Sequence, residues 1–282
     1  MKNYKLLLIV LVSMVNAAEI MAQADSTTTP VRQKPAFKLG AYYNSELNYY
    51  GRTDSLHSAG FFPMAECWFN NKVYVTAAPV FVINKLQHFD YAGTVATLGI
   101  RIYKEKKYST NIYLVKPFYE QTSALVQSAL KAQLAGTFTW LNKIINVTAG
   151  ADGKLSDRVD YGATAGLDHI FKYKLAEKTV LVLDPSAYVN AGTQQFTKTS
   201  YKRNNFLFLP GTQEQVTEQV NKFNILSYEF SMPVVLAKGK FQFIANPAYV
   251  LPQNLITVAG QPGLSEQGED MFYITVGTKF NF

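Results

Sequence analysis

The stretch that decides the fold is the last one, MFYITVGTKFNF, residues 271–282. Side chains alternate across an extended chain. Phe272, Ile274, Val276, Thr278, Phe280 and Phe282 therefore share one face, and Met271, Tyr273, Thr275, Gly277, Lys279 and Asn281 the other. One face is greasy and the other polar or small. The same split recurs upstream. Phe241, Phe243, Ala245, Pro247 and Tyr249 oppose Gln242, Ile244, Asn246 and Ala248, and Leu130, Ala132, Leu134, Gly136, Phe138 and Trp140 oppose Lys131, Gln133, Ala135, Thr137 and Thr139.

Period-2 alternation of this kind marks twelve runs, near residues 36–50, 60–69, 73–84, 90–103, 108–120, 129–141, 144–151, 158–172, 178–191, 222–237, 240–252 and 270–282. Strands are the natural reading of such runs. Tight connections follow the even-numbered runs, at 70–72, 104–107, 142–143, 173–177 and 238–239, and longer ones follow the odd-numbered runs, at 51–59, 85–89, 121–128, 152–157, 192–221 and 253–269. Short-long alternation is the pattern of an up-and-down barrel in an outer membrane, with short periplasmic turns and longer outer loops. A Greek-key sandwich has no reason to alternate so. The expected fold is all-β: a closed, antiparallel, transmembrane β-barrel of about twelve strands.

Composition agrees with that reading. Aromatics make up 14% of the 282 residues, with 18 Tyr and 19 Phe, while charged residues supply only 17%, against about a quarter in ordinary globular chains. Mean hydropathy is −0.04, and no apolar run after residue 35 approaches the roughly 20 residues of a spanning helix, which excludes an α-helical membrane protein. Tyr49, Trp68, Tyr91, Tyr103, Trp140, Phe171, Phe223, Tyr249 and Phe280 lie near run ends, where amphipathic rings form interfacial girdles.

The N-terminus adds an export signal. MKNYK, an apolar run and the small-x-small site Ala22-Gln23-Ala24 have the anatomy of a secretory signal peptide. Residues 1–24 are expected to be that peptide, 25–35 a polar periplasmic lead-in, and 36–282 the barrel. Cys67 has no partner cysteine, so no disulfide framework exists.

Together the signal peptide, the Tyr/Phe-rich alternating chain and the closing strand FYITVGTKFNF make this sequence resemble the outer-membrane β-barrel proteins of Bacteroidota-type bacteria. That resemblance implies location in the outer membrane of a Gram-negative cell. It also implies contact with membrane lipid and lipopolysaccharide, and recognition by the outer-membrane insertion machinery through the C-terminal strand ending in Phe282. It carries no activity across.

On the face opposite the greasy one the signs of charge mix. Lys38, Arg101, Lys116, Lys131 and Lys279 face Glu46, Glu66, Glu120, Asp160, Asp168, Asp184 and Glu229, and these twelve are the candidate lumen lining. Enclosed charges persist only when paired or wet, so the interior is either a water-filled passage or a packed salt-bridge network. In the loop 192–221, Phe206, Leu207, Phe208 and Leu209 would fold into the mouth as a constriction, with Lys198, Lys202 and Arg203 meeting lipopolysaccharide phosphates; the alternative is a loop packed on itself. Pro79, Pro117, Pro185 and Pro247 sit at similar distances along their runs, on the greasy face, and would mark the outer rim or else scattered bulges.

Catalytic constellations are thin. His57 and His88 fall in outer loops, and His169 and Asp168 alternate to opposite faces. There is no Gly-x-Ser-x-Gly stretch, phosphate loop, metal spacing or calcium loop. No enzyme, cofactor or metal is expected. The net charge of +7 gathers at the tight turns as a solvated rim; no recognition module for nucleic acid accompanies it. Three readings follow, in this order: a passive or weakly selective pore for small solutes, a filled barrel with a structural or docking role, and a lipid-modifying barrel enzyme.

Overall fold

A computed structural model of the chain describes residues 35–54, 56–86, 88–120, 130–194, 222–256, 266 and 268–282. Among these, strands run β1 (Ala36–Asn44), β2 (Asn48–Tyr49), β3 (Arg52–Thr53), β4 (Ala59–Trp68), β5 (Val73–Ile83), β6 (Asp90–Lys104), β7 (Tyr108–Tyr119), β8 (Ala132–Trp140), β9 (Asn146–Leu155), β10 (Val159–Asp168), β11 (Phe171–Ala176), β12 (Thr179–Leu183), β13 (Ser186–Gly192), β14 (Asn224–Ser231), β15 (Val234–Lys238), β16 (Phe241–Pro252) and β17 (Met271–Asn281). β2 and β3 form a small separate hairpin, and the others make one antiparallel sheet.

The sheet closes on itself. β1 pairs with β17 from Lys38↔Asn281 to Asn44↔Thr275, so the first long strand completes the ladder of the last. The pairs β10/β11, β12/β13 and β14/β15 are successive halves of single staves. Counting each pair once, the barrel has twelve staves, as the sequence runs anticipate. The breaks lie side by side: His169 N–H donates to the Pro185 carbonyl, and Asp184 N–H to that of Pro233. Pro185 and Pro233 have no N–H to give a ladder, so two of these staves are interrupted where the prolines stand.

Which face points inward follows the alternation. In β17, Met271, Tyr273, Thr275 and Lys279 are buried, while Phe272 and Phe280 are exposed. β16 and β8 repeat this, with Phe243, Tyr249, Leu134, Phe138 and Trp140 outside and Gln242, Ile244, Asn246, Gln133 and Ala135 inside. The molecule is thus inside-out by the standard of a water-soluble protein: its outer wall is leucine and phenylalanine, and its charges lie within.

Five tight turns, 69–72, 105–107, 141–145, 177–178 and 239–240, gather at one end, with Lys106 and Gly239 at positive φ. The long-loop end differs from the sequence expectation in two places. The connection expected at 152–157 is a tight turn: β9 runs on to Leu155, and Ser156 N–H donates to the Arg158 carbonyl. The first run ends at Asn44 rather than at residue 50: Ser45 N–H still donates to the Ile274 carbonyl of β17, but the Glu46 amide turns to the Asn44 side-chain oxygen and the chain turns into the barrel.

Several outward assignments are also corrected. Trp68 shares the inner face of β4 with Glu66, and Tyr49 belongs to the inward hairpin; both are buried and neither joins an outer girdle. Leu130 lies before β8 and is buried. Pro117 faces inward, in step with Tyr113 and Val115. Pro79, Pro185 and Pro247 all lie several residues short of the outer end of their staves, so the four prolines do not mark a rim. Pro79 instead precedes a register shift at Val80/Phe81, where its missing donor is absorbed.

Candidate functional site: a charged lumen beneath an inward-folded mouth

The segment between β1 and β4 is the first element of the site. Leu47 N–H donates to the Ser58 carbonyl and closes residues 47–58 into a compact unit around β2 and β3. Leu47, Tyr49, Arg52 and Ser58 are all essentially inaccessible to solvent. Asp54 Oδ1 accepts from the Leu56 and Ser58 amides, holding the turn that carries His57 at φ 49°. Gly51, at φ 76°, lies against the Pro252 ring.

Arg52 fixes this unit across the opening. Its Nε donates to Glu266 Oε2 (3.1 Å), Nη1 to the carbonyls of Tyr50 (3.1 Å) and Leu226 (3.0 Å), and Nη2 to that of Gln253 (2.9 Å). A planar guanidinium suits several simultaneous acceptors in fixed directions. Glu266 also accepts from the Ile256 amide (3.0 Å), tying the β16–β17 connection to the same point.

Beneath this lid is a chamber of about 210 Å³. Tyr50 of the mouth segment forms part of its roof, and its walls include Arg101, Asn111, Tyr113, Asp152, Asp168, Asp184, Tyr188, Glu229 and Asn246. Two arcs of opposite sign face inward from the wall, and Arg101 of one and Asp152, Asp168, Asp184 and Glu229 of the other line the chamber itself. On β17, β1, β4 and β6, Lys279 Nζ lies 3.1 Å and Lys38 Nζ 2.8 Å from the two oxygens of Glu66, while Arg101 stacks against Trp68 and Tyr74 at 5.4 and 5.7 Å. The Trp68 indole N–H also donates to Glu66.

The other arc, on β9, β10, β13, β14 and the β12–β13 junction, is acidic. Asp152 pairs with Lys154 at 2.5 Å, Asp160 accepts from Thr193 Oγ1 at 2.6 Å, Asp168 from Asn146 Nδ2 at 2.7 Å, and Glu229 from Tyr273 Oη at 3.3 Å. Between them run amide and hydroxyl bonds from strand to strand, such as Thr164 to Asn190 (2.8 Å) and Asn190 to Ser227 (3.2 Å).

The candidate lining residues of the sequence therefore divide. Lys38, Glu66, Arg101, Asp160, Asp168, Asp184, Glu229 and Lys279 are buried inside. Glu46 is in the mouth segment against His57, and Glu120, half-buried, closes onto the Ala92 carbonyl beyond β7. Lys131 is exposed at the long-loop end, 3.0 Å from Asp157. Lys116 is a correction. It falls in step with the outward Ile112 and Leu114, and its ammonium reaches the Lys131 carbonyl at 2.9 Å past the Phe118 ring, as a long cationic side chain on an apolar wall does. The proposed constriction residues Phe206, Leu207, Phe208 and Leu209 lie outside the described residues.

No protein-family model matches the chain, and no curated protein matches it. Among solved structures it is similar to the KdgM porin, at 8% identity over 87% of this chain and 99% of that one, with a TM-score of 0.43. It is similar to an outer membrane channel from Pseudomonas putida at 10% identity, 92% and 98% coverage and a TM-score of 0.45, and to LpxR from Salmonella typhimurium at 9%, 86%, 99% and 0.43. The likeness is one of fold alone.

The mouth segment was the part missed in the sequence. One signal was present: the connection expected at 51–59 opens with Gly51 and carries the charged Arg52 and Asp54 directly after the first run. His57, half-exposed at the edge, is hydrogen-bonded to the Glu46 carboxylate, which raises its pKa above the ordinary value despite a smaller opposing effect of burial. His88 is exposed, and His169 Nδ1 is directed at the Ile144 carbonyl, away from Asp168.

Proposed function

We infer that this barrel resides in an outer membrane and passes small polar solutes through a narrow lumen. One observation carries the reading: apolar side chains cover the outside while charged ones surround a chamber within. An exposed wall holding Leu98, Ile100, Ile112, Leu114, Leu134, Phe230 and Phe243 far exceeds the apolar patch a soluble monomer tolerates, and hydrocarbon is the solvent in which it is stable. Closure of β1 on β17 leaves no open edge in that solvent. The export signal in residues 1–24 fits the same destination, as do lipid and lipopolysaccharide contacts on the outer wall and delivery by the insertion machinery through the strand ending at Phe282. Discrete conductance steps from purified protein in a planar bilayer are the expected result.

A filled barrel with a structural or docking role is the second reading, and the buried mouth segment pinned by Arg52 favours it. Absence of conductance both in the native chain and in Arg52→Ala would establish that reading over the pore.

A further inference from the structure

The acidic arc has an excess of negative charge that its own donors leave in place. Among the described residues it brings four carboxylates to the chamber, Asp152, Asp168, Asp184 and Glu229, with one cation, Lys154, beside Asp152. The partners already named for Asp168 and Glu229 are neutral, an amide and a tyrosine hydroxyl. Asp184 stands apart. It is 5% exposed, it lines the chamber, and its Oδ1 accepts no hydrogen bond among the described residues. Asp168 lines the same chamber from the neighbouring stave, which the His169 N–H bond to the Pro185 carbonyl holds against the segment carrying Asp184. Enclosed carboxylates on adjacent staves require a positive partner, either a shared proton or a bound cation, because like charges at close range cannot both persist alone.

The surroundings select the kind of cation. Among the described residues no three ligating side chains converge closely enough to hold a metal ion. Tyr188 lines the chamber with Asp168 and Asp184 and is the cross-strand partner of Glu229. Its ring is laid along the wall over Gly166, where a Cβ would come within 2.1 Å of it. An aromatic ring beside carboxylates, with amides and hydroxyls further round the chamber, suits a hydrogen-bonding organic cation.

We propose that the chamber wall formed by Asp168, Asp184, Glu229 and Tyr188 binds a small organic cation, with an ammonium or guanidinium group seated on the Asp168–Asp184 pair and its carbon frame against Tyr188. The inference rests on the reading of the lumen as a solute chamber and names the class of solute. Arg101 of β6 lines the same chamber, so an anionic end of the same solute is accommodated there.

The test is calorimetric titration of the full, refolded protein in detergent micelles with L-arginine, with L-glutamate and glucose as the anionic and neutral comparisons. Arginine is expected to bind and the other two to bind at least about tenfold more weakly, the effect of one lost charge-assisted contact. Asp168→Asn/Asp184→Asn should weaken arginine by about tenfold or more in protein that still shows the heat-modifiable migration of a closed barrel. Should that variant not fold, Glu229→Gln carries the same expectation. Undetectable arginine binding, glutamate binding equal to arginine, or native affinity in a folded variant overturns the proposal. Conductance is read separately: arginine binding without channel steps supports this site and sinks the pore, whereas steps without binding do the reverse.

Discussion

Arg52 and Glu266, separated by 214 positions in sequence, meet at 3.1 Å with side chains almost wholly shielded from solvent. The pair joins the segment that enters the barrel after β1 to the connection that precedes β17. Removing one member of a buried pair strands the other charge, at roughly 3–5 kcal/mol. Arg52→Ala also strips donors from the Leu226 and Gln253 carbonyls. The expected outcome is a mouth segment that detaches and a larger unit conductance in a planar bilayer. Native conductance in this variant would mean that residues 45–58 do not govern the opening.

The barrel was legible in the sequence because each strand has two different solvents on its two sides. That difference wrote itself into MFYITVGTKFNF residue by residue, and the tight turns supplied the order. What was illegible depends on where the alternation stops having consequences. The first run continues in step to Tyr49, yet the chain leaves the ladder after Ser45, since nothing in periodicity distinguishes a strand continuing outward from one turning inward. Trp68 was placed at an interface from its residue type, although Glu66, two positions away on the same face, fixed it inside. Lys116 was placed inside from its charge, although Ile112 and Leu114 fixed it outside. In both cases face parity outweighs residue preference, because a one-residue slip would move a whole strand's side chains to the wrong solvent.

Glu66 decides whether the basic arc is packed or wet. Lys38 and Lys279 both contact its carboxylate, and the three are nearly fully buried. Glu66→Gln leaves two ammonium groups facing a neutral amide. If water is excluded there, the loss is roughly 3–5 kcal/mol, as for a broken buried pair; if water fills the space, it falls to about 1 kcal/mol or less. Urea unfolding in micelles reads the difference, and the larger loss is expected. A midpoint unchanged from the native chain would contradict a packed arc.

His57 gives the mouth a pH dependence of definite sign. Its hydrogen bond to Glu46 raises the folded-state pKa above the ordinary value. The contribution is therefore complete below the unfolded pKa of about 6.5 and is lost as pH rises through the higher folded value. The ring is half-exposed, so the effect is small and screened by salt. Protease nicking within residues 45–58 should quicken as pH rises from about 6 upward through the folded pKa. His57→Asn, which tolerates the positive φ found there, should remove that dependence. A variant that keeps the native pH profile would place the titration elsewhere.

Gly93 tests the closure of the wall itself. It adopts φ 144° opposite Val80, where the β5–β6 register shifts past Pro79. A Cβ at this position would lie 2.3 Å from the Phe118 carbonyl oxygen and 2.9 Å from the Tyr119 Cα. Both obstacles are backbone of the adjoining strand, so neither can swing aside as a side chain would. Gly93→Ala must strain its own backbone, at roughly 1–3 kcal/mol, and push β7 away from β6 as well. Gly136→Ala is the comparison, because there the nearest atom to the new Cβ is 3.9 Å away. The urea midpoint of Gly93→Ala is expected to fall well below that of Gly136→Ala at equal slope, since the surface exposed on unfolding is unchanged. Equal midpoints would show that the β6–β7 ladder relaxes around a side chain, and that the bulge beside Pro79 does not depend on glycine.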